Sequence, residues 1–156
     1  EIGGDDDVVA EAKKYIDGYL SKYPKVKVYM EEIVNMGQEQ GFVETLFHRR
    51  RQLPELASKN FNQRSFGKRV AMNTPIQGTA ADIIKIAMVK VYQALKESGL
   101  KSRLILQVHD ELVVETLHEE LDQVKALVRK CMEGATALSV PLIADVNTGE
   151  NWYQAK

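Results

Sequence analysis

The feature that most restricts this fold is a helical pattern from about Asn62 to Ser98 with a proline, Pro75, inside it. Phe66, Val70, Ile84, Ala87, Met88 and Val91 recur at core-like intervals on one side of it. Arg69, Asn73 and Gln77, four residues apart, line the other side. Proline lacks an N–H and clashes with the carbonyl four residues back, here that of Ala71, so the pattern predicts a kink or a break there. Gly99 ends the run.

Two β-rich runs follow, Leu104–Val108 and Leu112–Glu115, and His109-Asp110-Glu111 between them predicts a β-hairpin with an acidic tip. An amphipathic helix is expected over Glu119–Leu138 (Leu121, Val124, Leu127, Val128, Met132), then a short strand over Leu142–Val146. Upstream, Asp7 is placed to cap a helix over Val8–Ser21, with Val9, Ala12, Ile16 and Tyr19 on one face. Pro24 suits the first position of a second helix, which Gly41 would stop. Phe42–Phe47 reads as a short strand or an extended arm, and Pro54 with Ser58-Lys59-Asn60 marks a loop. Helices, hairpin, helix and strand in that order predict an α+β fold, an antiparallel hairpin sheet packed with several helices.

At 156 residues and 44% apolar, the chain fits one compact domain or a large piece of a bigger one. No stretch approaches the roughly 20 apolar residues that span a bilayer. The acidic, Gly-rich start, Glu1-Ile2-Gly3-Gly4-Asp5-Asp6-Asp7, does not read as a signal peptide, and the absence of an initial Met hints at processing or truncation. A single Cys131 excludes an internal disulfide framework and suits a reducing compartment.

Net charge is -1, but it is segregated. Between Glu44 and Arg69 lie seven basic residues (Arg49, Arg50, Arg51, Lys59, Arg64, Lys68, Arg69) and two acidic ones (Glu44, Glu55), so this segment is +5 and the remainder -6. That distribution suggests one anion-facing surface, although a solvated basic loop also accounts for it. The triple arginine at 49–51 suits backbone phosphates and a solvated loop equally.

Two further groups carry candidate chemistry. Strands converging on His109-Asp110-Glu111 would hold a carboxylate rigidly at an exposed position, which suits Mg²⁺, an ion that takes one or two carboxylates plus phosphate oxygens and water. Taken alone, an ordinary acidic turn explains the tip better. A metal phosphohydrolase reading of His109-Asp110 finds no support in His48 or His118, which show no ligand spacing. The row Arg69, Asn73, Gln77 offers donors matched to purine N3 and pyrimidine O2, the minor-groove acceptors that every base pair presents. An enzyme that accepts any pair but demands correct geometry needs such contacts, whereas three polar residues by themselves are more simply a solvated face.

Together these segments resemble family A DNA polymerases of the bacterial polymerase I type. The resemblance rests on Leu46–Pro54, on Ala71–Ile84 with its Asn73-Thr74-Pro75-Ile76-Gln77-Gly78 core, and on Leu106–Leu112 with Gln107-Val108-His109-Asp110-Glu111. The ending from Val140-Pro141-Leu142 through Gly149-Glu150-Asn151-Trp152 also matches, so nearly the whole chain is covered.

The resemblance implies a fingers-and-palm arrangement, with 1–60 as the rear of the fingers and 61–156 as the C-terminal part of the palm. It implies template-directed addition of deoxynucleotides to a primer 3′ end in replication and repair, with Mg²⁺ as cofactor and a bacterial cytoplasmic setting. Partners would be primer–template DNA, deoxynucleoside triphosphates and the remainder of the polymerase chain, with no membrane. Asp110 would bind metal, with Glu111 as a supporting catalytic carboxylate. Arg69, Asn73, Gln77 and His109 would contact the primer–template, and Arg64 would hold the template side.

The family's second metal-binding aspartate, from an Asp-x-Ser-x-x-Glu-type strand, has no counterpart here, since Asp17, Asp82, Asp122 and Asp145 have other neighbours. The fingers helix that binds the incoming nucleotide, the thumb and any exonuclease domain are not found either. The expectation is therefore a polymerase fragment, inactive alone. The alternative is a stand-alone DNA-binding or structural module without catalysis.

Overall fold

The computed structural model describes residues 5–155. They form two units, one up to Ile76 and one from Gln77.

The first unit begins with α1 (Asp5–Lys22) and α2 (Pro24–Gln40). Helix α1 reaches back past Val8, and the side chain of Asp7, expected to cap it, lies outside the described residues. Its expected apolar face is left in solvent: Val9, Ile16 and Tyr19 are all exposed. Helix α2 begins on Pro24, whose missing N–H would have had no helical partner anyway, and stops at Gly41, which takes φ 78 and donates its N–H to the Gly37 carbonyl.

Strand β1 (Phe42–Glu44) pairs antiparallel with β2 (Arg50–Gln52). The second strand was not expected: its three residues are polar and exposed, and pairing rather than an apolar pattern makes it a strand. The buried Thr45 builds the connecting loop, its Oγ1 accepting the N–H groups of Phe47 and Arg49. Ile33, Val43, Leu53, Leu56 and Ala71 form this unit's core, with Leu56 supplied by a 3₁₀ turn over Pro54–Ala57.

Helix α3 (Phe61–Glu97) is started by Asn60, whose Oδ1 accepts the N–H groups of Asn62 and Gln63. It runs through Pro75 as one helix, so of the expected kink or break the break is not found. A proline inside a helix costs ~3 kcal/mol, and buried residues of the same helix lie on either side of it. Ala71 before it and Ile84, Ala87 and Val91 after it are all buried. Phe66, expected on the core side, is exposed.

In the second unit Gly99, at φ 69, turns the chain into β3 (Arg103–Val108), which pairs antiparallel with β4 (Glu111–Glu115). The register slips between Leu104 and Leu106, leaving Ile105 as an extra residue. Beyond that bulge Leu106 pairs with Val113 and Val108 with Glu111. Leu104, Leu112 and Val114 face the core formed by Val91, Leu95, Val124 and Val128, so Glu111 and Val113 lie on the opposite face.

A 3₁₀ turn over His118–Glu120 leads into α4 (Leu121–Glu133), which is shorter than expected and stops before Gly134. Lys90 Nζ donates to the Gly134 and Ala135 carbonyls at 2.5 and 3.3 Å, a cationic cap at that end. The strand expected over Leu142–Val146 is not formed. Ala144 donates its N–H to Glu133 Oε1 at 3.2 Å, and its carbonyl accepts from Arg129 Nε at 3.4 Å, so side chains of α4 occupy the groups a ladder would need. The fold is α+β, with two small antiparallel sheets packed with helices. No helix among the described residues is long and apolar enough to cross a membrane.

Candidate active site at the hairpin tip

The tip is tighter than the sequence implied. Only His109 and Asp110 form the loop, and Glu111 is already the first residue of β4. His109 sits at φ 52, a left-handed conformation that costs a non-glycine residue energy and clusters at functional sites. Its carbonyl accepts a 2.7 Å hydrogen bond from Gln107 Nε2, which braces the turn. Asp110 follows with an exposed side chain.

Glu111 is half-buried, and its Oε2 accepts a 3.2 Å hydrogen bond from the indole Nε1 of Trp152. A two-residue loop between paired strands therefore carries one solvent-facing carboxylate beside a second that is tethered. The donors are hard oxygens, which fit Mg²⁺ as a partial ligand set completed by water and phosphate. Among the described residues no group of three or more His, Cys, Asp or Glu side chains could hold a metal ion unaided.

Arg69 and Asn73 close the first unit's part of α3, and Gln77 opens the second unit's part; all three are exposed. Arg64 is partly occupied: its Nη1 donates to the Ser58 and Lys59 carbonyls at 2.9 and 2.8 Å, holding the loop that precedes α3. Within the arginine run, Arg50 Nε donates to Glu44 Oε1 at 2.7 Å, and its guanidinium lies 4.4 Å from the Phe42 ring centroid. The Arg50 and His48 hydrogen bonds hold the Glu44 carboxyl below the usual range. Arg50 is thus a sheet contact as well as a charge.

A second anchor, missed in the sequence, secures the far end of the hairpin. The Glu120 carboxylate accepts the N–H groups of Lys101 and Ser102 at 2.9 Å each and the Ser102 hydroxyl at 2.5 Å. Those bonds, led by that from Lys101, hold its carboxyl below the usual range. Within the first unit, one surface concavity lies against Gly37, Leu53 and Leu56 and another against Met30, Val34 and Met72. The candidate site is an exposed hairpin tip.

The sequence model of DNA polymerase family A matches residues 8–154. The DNA polymerase I of Lactococcus lactis subsp. lactis (strain IL1403) is 52% identical over 94% of this chain, and that of Bacillus subtilis (strain 168) is 55% identical over the same share. In both cases the chain spans only 17% of the relative's length. Among solved structures, the polymerase domain of Pol1 from M. smegmatis, in complex with DNA primer–template and dNTP, superposes with a TM-score of 0.90. That match is 44% identical and covers 94% of this chain and 26% of that one. Because the family's model covers almost every residue and relatives exceed half identity across the same span, the chain belongs to DNA polymerase family A.

Proposed function

We propose that the chain is a working part of a DNA-directed DNA polymerase, a nucleotidyltransferase that joins deoxynucleotides to a primer 3′ end in replication and repair. Its setting would be the bacterial cytoplasm, in keeping with its bacterial relatives. The observation that carries this reading is the rigid hairpin tip holding Asp110 in solvent, in a chain similar to a polymerase domain described with primer–template and dNTP. On this reading residues 1–60 belong to the rear of the fingers and 61–156 to the palm.

Asp110 would hold Mg²⁺, and Glu111 would support it from the neighbouring strand. Mg²⁺ held there would supply charge neutralisation for phosphoryl transfer. The remaining work belongs to side chains of the chain itself. Arg69, Asn73 and Gln77 donate toward the minor groove of the primer–template, with His109 beside the primer end and Arg64 toward the template strand. Minor-groove acceptors are shared by all four base pairs, so these donors test pairing geometry without selecting a sequence.

A two-carboxylate tip is only part of a two-metal site, and no three-ligand group exists among the described residues. The chain by itself is therefore expected to bind without catalysing. The test is nucleotide incorporation on a primed template with Mg²⁺, first with the 156-residue chain and then with the chain joined to the rest of a family A polymerase. Incorporation only by the joined form supports the reading. Incorporation by the chain alone refutes the incomplete site, and none by either form favours a non-catalytic DNA-binding module.

A further inference from the structure

We propose that Trp152 is a positioning residue for the hairpin tip: its indole N–H tethers the Glu111 carboxylate and so keeps that carboxylate beside Asp110 rather than competing with it. The inference rests on the reading of Asp110 as the metal-holding carboxylate. Trp152 lies 41 residues from Glu111, and the bond from Nε1 to Oε2 measures 3.2 Å. An indole nitrogen only donates and a carboxylate only accepts, so the pairing has one direction and is charge-assisted.

The segment carrying Trp152 is built to present it. Asn151 accepts the Gln154 N–H on both its carbonyl and Oδ1, and its carbonyl also accepts the Ala155 N–H, each at 3.1 Å. Gln154 Oε1 accepts the Glu150 N–H at 3.0 Å. Gly149 lets this turn close, because a Cβ there would stand 2.7 Å from the Ala155 nitrogen and from the Gln154 carbonyl carbon, and backbone cannot give way cheaply. Within the turn Trp152 is 41% exposed, whereas the adjacent Tyr153 is 91% exposed.

The bulge at Ile105 supplies the other half of the arrangement. It puts Glu111 opposite Val108, and alternation along β4 places Glu111 on the face away from the core residues Leu112 and Val114. A glutamate there would be free to rotate about its side-chain bonds without a partner. With the indole bonded to one oxygen, the carboxylate is held near the start of β4, and Asp110 is the exposed carboxylate of the loop. Groups that orient ligands from behind in this way commonly affect activity by about ten- to a hundredfold.

Trp152 is the only tryptophan in the chain, so its indole N–H gives a single resonance in a ¹⁵N–¹H spectrum of the 156-residue protein. Glu111→Gln should move that resonance and speed its exchange with water, while Tyr153→Phe leaves both unchanged. An unmoved resonance in Glu111→Gln overturns the contact. In the joined polymerase, Trp152→Phe keeps the ring and removes the donor. It should lower the single-turnover rate about tenfold, leave the primer–template Kd unchanged, and add nothing once Glu111→Gln is present.

Multiplying losses in the double variant overturn the tether. So does a full rate in Trp152→Phe, or a loss confined to Kd, which would make Trp152 a stacking surface for bases. Asp110→Asn run alongside separates the two levels: a full rate there refutes the metal-site reading, while the resonance still reports whether Trp152 holds Glu111.

Discussion

Val91→Ala should loosen the scaffold that holds the tip. Val91 is 0% exposed and packs with Leu95, Val124 and Val128, the cluster on which Leu104, Leu112 and Val114 of the hairpin rest. Removing its two methyl groups forfeits ~1.5 kcal/mol of transfer free energy, at ~0.8 kcal/mol per buried carbon. The cavity left behind adds about 1 kcal/mol if the neighbours do not collapse, for a total of roughly 2–3 kcal/mol. For a chain of this length that corresponds to a fall in Tm of about 5–10 °C.

Val89, two residues earlier on the same helix, is 49% exposed, so the identical deletion there should cost less than ~1 kcal/mol. The assay is thermal and urea unfolding of the wild type and both variants, followed by circular dichroism. Equal shifts for Val91→Ala and Val89→Ala would show that the cluster is not the support described, whatever the absolute stability.

Glu120→Gln should remove part of the acid sensitivity of folding. The folded carboxyl lies below its ordinary value, so its contribution is present above the usual carboxylate range and lost as pH falls through the lowered value. The wild type should therefore lose more stability than Glu120→Gln on going from pH 6 to pH 3, as followed by urea titration; parallel curves would contradict this. In the joined polymerase, Gln77→Ala should slow extension of matched primer ends more than mispaired ones, because a mispair already leaves the donor unsatisfied, at a cost of roughly 1–3 kcal/mol. An unchanged ratio removes Gln77 from the interface. Arg69→Ala should reduce the slope of log Kd against log salt by about one, and Arg50→Ala by less, since Arg50 already faces Glu44; equal slopes would show that the Glu44 pairing does not keep Arg50 from the DNA.

How much of this could be read from the residues depended on where each signal lay. Helix α2 was legible at both ends because Pro24 and Gly41 act through their own backbone chemistry. The hairpin was legible from its β-rich runs, but not the bulge: Leu104, Ile105 and Leu106 are all apolar, so no alternation marks where the register slips. Strand β2 was hidden because Arg50-Arg51-Gln52 has no apolar face and forms by pairing to Phe42–Glu44.

The segment 142–146 shows the opposite case. Its alternation is real, with Leu142, Ala144 and Val146 partly buried and Ile143 and Asp145 exposed, yet α4 side chains hold the backbone of Ala144. The exposed place of Asp110 at the tip was legible because two β-rich runs flank it, whereas the role proposed for it came from the family resemblance alone. The bond from Trp152 to Glu111 spans 41 residues, and neither residue carries a local pattern that announces the other.

On the proposed function, Asp110 is the carboxylate through which this chain takes part in nucleotidyl transfer. The direct measurement is the single-turnover rate of primer extension, with primer–template Kd in parallel, for the joined polymerase and its Asp110→Asn and Glu111→Gln variants. Asparagine keeps the shape but lacks the charge, so Asp110→Asn should lose roughly a thousandfold in rate, about 4 kcal/mol of transition-state stabilisation, while Kd stays within about threefold. Glu111→Gln should lose much less, because that carboxylate is tethered on the strand rather than presented by the loop. Equal losses in the two variants, a near-normal rate in Asp110→Asn, or a collapse of DNA binding in its place would each contradict the account.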